Sequence, residues 1–395
     1  MIAMNFDPRK GIWVEEEEGM ERLEKNFFGE KKKGKIWLKI EEALYLVAFQ
    51  NAYCYRDGER VGFSELAMHF PEKELFVRYN AYRDWRDRGL VIERFRRMKA
   101  GERTGRNDHL KKYPAKKIET EKIQVTAYWF PDDFYSVLED EKVGRTLFEE
   151  HWIGQFGVYK QDRGNLLLLD FFETIFLEKH FGLKVVDIGT GKQVGNRYLL
   201  DEVGRKREYS RQIFEVYEDW RLRGYVVKTG FKFGAHFRIY FPGASPAKEG
   251  KYVHSRHVLH VFPKEQRLLI SEWARAVRVA HGVKKTFLLG IPELEEKDFI
   301  EIPADYLAYR RKKQGGNLVR ETPEDGPRYL LAAVGEDEHI GGVELASLLK
   351  KANDMGLELI LSITDRETSI TYYVLKKIKL PDSEYEYYEI EWMKP

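Results

Sequence analysis

The chain is predicted to be an α/β protein built from units that are each α+β in character, and three observations lead there. The segment Tyr82-Arg-Asp-Trp85-Arg-Asp-Arg-Gly89-Leu-Val returns 135 residues later as Tyr217-Glu-Asp-Trp220-Arg-Leu-Arg-Gly224-Tyr-Val. Arg256 to Gly282 lies without a gap over Arg328 to Asp354, at an offset of 72 residues. In both copies of this second repeat an apolar run of strand length precedes a helix with its apolar stripe at helical spacing, and a further strand follows, TFLLGI or LELILSI. Self-similarity at a fixed offset marks whole structural units rather than chance likeness.

Taken in order, Glu15 to Glu18 reads as a solvated helix start. Phe27-Phe-Gly29 leads into the strand-like KIWLKI and the helical EEALYLVAF, and Trp152-Ile-Gly154 leads in the same way into NLLLLD and FFETIFLEKHF. The expected organisation is an N-terminal half-unit over residues 1–93, a basic linker over 94–120, a complete middle unit, a second linker over 309–327 and a C-terminal half-unit over 328–395. The middle unit divides into an N-domain, 121–228, and a second domain, 229–308. Both linkers read as exposed, charged connectors; the first carries Gly101, Gly105 and Pro114, the second Arg310-Arg-Lys-Lys313 and Gly315-Gly316.

Composition narrows the function. At 395 residues with 43% hydrophobic content the chain is long enough for more than one core. A lone Cys54 excludes a disulfide framework and a multi-cysteine zinc site. The N-terminal MIAMNFDPRK has no apolar signal segment and no run is long enough to span a membrane, so a soluble, cytoplasmic protein with no membrane partner is expected. The net charge of +2 means that any surface for a polyanion must be local.

Chemistry concentrates in Gly224 to Lys285, where Tyr240, His254 and Lys285 each stand at the edge of an apolar segment. A Tyr, a His and a Lys in one cleft can cut RNA without a metal or other cofactor. Singly, each has an ordinary structural use: strand packing, a surface hydrogen bond, or a cation at a helix C-terminus. The surrounding motifs, GYVVKTGFKFGAHFRIY, then HS before an apolar strand, then RVAHGVKK, closely resemble the archaeal tRNA-splicing endonucleases, and LFEEHWIG, EALYL and ITYYVLKKIKLP extend the likeness along the chain. The arrangement of units resembles the three-unit, single-chain type of that family, which implies repeated N-terminal domains and nuclease-like domains with mixed sheets and flanking helices.

The resemblance places the family's catalytic Tyr on Tyr240, its His on His254 and its Lys on Lys285 rather than Lys284. It implies excision of introns from precursor tRNA at bulge-helix-bulge motifs, leaving a 2′,3′-cyclic phosphate and a 5′-hydroxyl. Attack by a 2′-hydroxyl needs a base, an acid for the leaving 5′-oxygen and a cation for the charge that develops; Tyr, His and Lys suit these roles if the tyrosine pKa is lowered. Arg278 matches the family's Arg that stacks on a flipped base, whereas Ile300 and Glu301 in DFIEIP stand where a second stacking Arg is expected. The longer join between Gly154 and Asn165 brings Tyr159, Lys160 and Arg163, with Lys160 the residue expected to touch RNA.

At the 72-residue offset His254 meets Gly326 and Lys285 meets Leu357, and the Tyr240 segment is expected to have no counterpart in the C-terminal half-unit, whose strand ITYYVLKKI is expected to pair with the middle unit. One active site per chain and two cuts per intron imply a symmetric homodimer. The resemblance implies acidic loops as its joints, with Glu293, Glu295, Glu296, Asp365 and Glu367 as candidates. Other signals are weaker. Asp187-Ile-Gly-Thr-Gly-Lys192 lacks the spacing of a phosphate loop and reads as a turn. Alternation puts His257 on the face opposite His254 and His260, against a metal site. Pro131-Asp132 with Asp140-Glu141-Lys142 suggests a metal-dependent nuclease, and a non-catalytic RNA-binding or assembly protein is the alternative from another class.

Overall fold

The computed structural model describes residues 2–70, 72–98, 110–157, 163–246 and 254–395. Two six-stranded sheets and one eleven-stranded sheet organise them, with helices packed on each. The first small sheet lies within residues 3–61 and the second within 126–194.

The two small sheets repeat one local device. In the second, Glu173 of the Phe171–Phe181 helix accepts from Gly154 N at 3.0 Å and Asp170 N at 3.2 Å; in the first, Glu42 accepts from Gly29 N at 2.9 Å and Lys39 N at 2.8 Å. Each glycine has a positive φ, and a Cβ would come within 2.6 Å of Leu167 in one copy and of Ile36 in the other, so no other residue fits the turn. The Trp helices, Leu75–Asp87 and Ser210–Leu222, then lock onto the same turns: Arg86 donates to Asn26 O and Phe27 O, and Arg221 to His151 O.

The eleven-stranded sheet joins parts of the chain far apart in sequence. Ten of its strands run in the order Val226–Thr229, Phe237–Tyr240, His257–Val261, Thr286–Ile291, Glu386–Met393, Ile370–Lys379, Glu358–Thr364, Tyr329–Gly335, Tyr306–Ala308 and Ile92–Arg94, and the eleventh, Lys111–Lys112, pairs with the end of Ile370–Lys379. One apolar core spans Ile2 to Ile92 and Tyr306 to Val374, so the two ends of the chain close on each other. Helix Leu75–Asp87 seats Asp84 on the Tyr372 hydroxyl at 2.7 Å, as Ser210–Leu222 seats Asp219 on the Tyr387 hydroxyl at 2.7 Å. The repeats even pair with each other: Leu268 faces Ile340, its mate at the 72-residue offset, in an antiparallel ladder, as a local twofold requires.

Three expectations need correction. The strand that crosses to the middle unit is Glu386–Met393, which pairs with Thr286–Ile291; ITYYVLKKI lies one strand further in, between Glu358–Thr364 and Glu386–Met393. The Tyr240 segment does have a counterpart. Ile239 faces Val227 and His257, and Ala308 likewise faces Ile92 and Tyr329, so Tyr309 occupies the place of Tyr240. Neither linker is simply exposed: Tyr113 is buried against Trp220 and His257, and Tyr309 is buried before the Arg311–Gln314 and Asn317–Arg320 hairpin.

The lesser motifs fall as read. Asp187 closes a turn by accepting from Thr190 N at 2.8 Å, and Asp140 caps the Glu141–His151 helix through Val143 N at 2.9 Å. Glu17–Lys25 is a helix whose acidic start is exposed. No helix among the described residues is long and apolar enough to cross a membrane.

Candidate active site

Strand register decides which of the candidate residues meet. Tyr240 ends its strand opposite Val226. That strand runs antiparallel to His257–Val261, which runs parallel to Thr286–Ile291. An antiparallel strand ends where its neighbour begins, so Tyr240, the His254–Ser255 entry and Lys285 come to the same end of three adjacent strands.

Lys285 is tied to the His254 side of this end. Its ammonium donates to the Ser255 hydroxyl at 2.8 Å and to the Ser255 carbonyl, and lies 5.3 Å from the Phe233 ring centroid. Lys284 takes a left-handed conformation, φ 57°, as the Ile270–Gly282 helix ends, which leaves Lys285 to enter the sheet. His254 is exposed, while Tyr240 is only 5% exposed, its ring 4.8 Å from that of Trp152.

Behind these residues lies a buried ionic cluster that the sequence reading missed. Lys228, opposite Arg238 in the ladder, donates to Glu173 Oε1 at 2.7 Å and to Gly154 O at 3.1 Å. Asp170 stands beside them, its carboxyl pushed up to about 7 by burial first and by the neighbouring Glu173 second. A cavity of about 230 Å³ opens here between the two domains of the middle unit, lined by Asp170, Phe172, Lys228 and His236 among others. Nothing in the run GYVVKTG sets Lys228 apart from a surface lysine at the end of a strand.

The other two histidines of the HSRHVLH segment are packed into the sheet. His257 packs on Tyr113 and Phe241, and burial pushes it down to about 4; His260 stacks on His236 at 4.4 Å, and burial pushes it down to about 3. The two lie on opposite sides of their strand, as alternation expects.

Arg278 is exposed on its helix, beside Tyr373. The DFIEIP segment lies elsewhere, against the Gly342–Asp354 helix, where Ile300 N donates to the Ser347 hydroxyl at 3.0 Å. Its neighbour is Lys350, the mate of Arg278 in the repeat, and together they border a cavity of about 500 Å³ with Phe95, Phe299 and Met355. None of Tyr240, His254 and Lys285 lines this larger cavity. Lys160 and Tyr159 lie outside the described residues. Among the acidic candidates, Glu293 accepts from Gln212 at 3.3 Å, Glu295 pairs with Lys297, Glu296 with Lys350, and Asp365 closes its hairpin through Glu367 N and Ser369 N.

Known proteins match both domain types. Residues 211–302 match the tRNA intron endonuclease catalytic C-terminal domain, and residues 9–67 match the tRNA intron endonuclease N-terminal domain. A tRNA-splicing endonuclease of Methanopyrus kandleri is 36% identical over 152 residues, 38% of this chain and 79% of the relative. That of Thermococcus onnurineus is 31% identical over 43% of this chain and 91% of the relative. One from Methanococcoides burtonii is 24% identical but extends over 74% of this chain and 96% of its own length. With its catalytic domain present and the strand ends in register, the chain belongs to the tRNA-splicing endonuclease family.

Proposed function

We propose that this enzyme excises introns from precursor tRNA by cutting at bulge-helix-bulge motifs, without a metal cofactor, through attack of a 2′-hydroxyl on the adjacent phosphate. Tyr240 takes the proton of the 2′-hydroxyl and His254 gives one to the departing 5′-oxygen. Lys285 stabilises the charge that gathers on the phosphorane, and Arg278 stacks on a flipped base. The products are a 2′,3′-cyclic phosphate and a 5′-hydroxyl. The observation that carries the reading is the common end of the three strands bearing Tyr240, the His254–Ser255 pair and Lys285, with Lys285 bonded to the residue next to His254.

Incubation of one intron-containing precursor with the enzyme in EDTA, followed by analysis of the product ends, tests it. Two cuts with cyclic phosphate ends are expected. Activity that disappears with chelation and returns with magnesium would instead favour a metal-dependent nuclease.

A further inference from the structure

The buried Lys228 cluster includes no residue assigned to RNA, yet it sits on the strand that pairs with the strand ending in Tyr240. Lys228 is hydrogen-bonded through its backbone ladder to the strand that ends in Tyr240, and its side chain leaves the eleven-stranded sheet to hold Glu173 and Gly154 O beside the second small sheet. Glu173 grips Gly154 N as well, so both polar groups of Gly154 are fixed by one ion pair. Two residues earlier, Trp152 sits in a left-handed conformation, φ 48°, which swings its ring onto Tyr240. Both charges are nearly buried, 15% and 6% exposed, so the pair acts at low dielectric and resists screening by salt.

The chain contains its own control. In the N-terminal copy the turn, the glycine and the glutamate recur as Phe27, Gly29 and Glu42, with Phe27 also left-handed at φ 57°. At the place of Lys228 that copy carries Glu93, a carboxylate that cannot pair with Glu42. The place of Trp152 is taken by Phe27, and the unit it serves has Gly326 and Leu357 where His254 and Lys285 stand. The turn is therefore a general feature of the fold, whereas the lysine clamp and the tryptophan belong to the unit with the reactive trio.

We infer that Lys228 and Trp152 are positioning residues for the reaction: the Lys228–Glu173–Gly154 clamp holds the Trp152 ring against Tyr240 and so fixes the orientation of the base. The inference rests on the reading of Tyr240 as that base. A small error in its placement is enough to slow proton transfer strongly, because the reacting atoms must already be close to their transition-state geometry.

Single-turnover cleavage and RNA affinity, measured on the full chain, test it. Lys228→Met is expected to slow cleavage about tenfold or more with RNA affinity unchanged, and Lys228→Arg to restore most of the rate. Trp152→Phe, which installs the side chain that the N-terminal copy already accommodates, is expected to slow cleavage about threefold or more. In a Tyr240→Phe background Lys228→Met is expected to cost nothing further, since two changes acting through one group do not add. A parental rate for Tyr240→Phe alone would remove the base assignment and the inference with it. A slow Tyr240→Phe beside a fast Lys228→Met, or equal costs of Lys228→Met in both backgrounds, would remove the clamp alone. Should Lys228→Met fail to fold, Trp152→Phe decides: a parental rate overturns the inference.

Discussion

Lys284 and Lys285 carry the same charge on neighbouring residues, and the backbone gives them different tasks. Lys284 absorbs the left-handed turn that ends its helix, and Lys285 reaches Ser255 beside His254. Lys285→Ala is accordingly expected to lower the cleavage rate about a hundredfold or more, the usual loss when a stabiliser of developing charge is removed, whereas Lys284→Ala should stay close to the parent. Single-turnover rates on one precursor decide between them. Asp170 gives a prediction about pH. Its carboxyl keeps a proton in the fold up to about 7, against 3.8 for the free group, so between those values the folded chain binds more protons than the unfolded one. Stability contributed by Asp170 is therefore full below about 4 and is lost as pH rises through about 7. His236 and His257, both pushed down to about 4 by burial, work in the opposite direction, losing stability as pH falls below the ordinary histidine range. Asp170→Asn isolates the first effect, because an amide oxygen can still cap Glu173 N. Urea unfolding at pH 5 and pH 7 should show the parent losing stability relative to Asp170→Asn as pH rises; a constant difference would mean that Asp170 is ionised throughout.

At the scale of elements, the two Trp helices are seated on the sheet by carboxylates. Asp219 accepts from Tyr387 and Ser383 hydroxyls, each at 2.7 Å, and pairs with Arg223 at 2.6 Å in a largely buried position. Asp219→Ala would leave the hydroxyl and the guanidinium without their shared acceptor, at a cost of about 3 kcal/mol in unfolding free energy. Asp84, which holds Tyr372 and Arg88 at a more exposed site, should cost less when changed in the same way. Chemical denaturation of the two variants checks the order. These helices were readable because their marks are local: a buried Trp, an Arg one residue on, and a glycine that ends the helix with positive φ. The turn glycines and the Tyr240 strand end were legible for the same reason. What escaped is non-local. Tyr306-Leu-Ala-Tyr309 shares only its final Tyr with Phe237-Arg-Ile-Tyr240, and the connections that follow them differ, so only the ladder to Ile92 reveals the match. The pairing of Glu386–Met393 with Thr286–Ile291 is likewise invisible in either strand, since the two lie far apart in sequence. Lys228 escaped because its partners, Glu173 and Gly154, are distant in sequence and stand beside a different sheet.

At the scale of the molecule, the two ends of the chain build a second unit around one core, and that unit has Tyr309, Gly326 and Leu357 where the middle unit has Tyr240, His254 and Lys285. It keeps the fold without the full trio proposed to react, so the proposed site occurs once in each chain. Excising an intron takes two cuts, so the proposed activity needs either two chains at once or one chain that releases and rebinds. A twofold homodimer meets the need with a single interface and matches a substrate that is itself nearly twofold. Light scattering should then give twice the 46.7 kDa of one chain. Kinetics give a second readout. Parent chains mixed and allowed to exchange with an excess of His254→Ala chains form dimers with one working site. Such dimers should cut one splice site promptly and accumulate a half-cut precursor, in proportion to the mixed dimer. A monomeric mass, or two cuts made in unchanged ratio at every mixing proportion, would show that one chain completes the excision by itself.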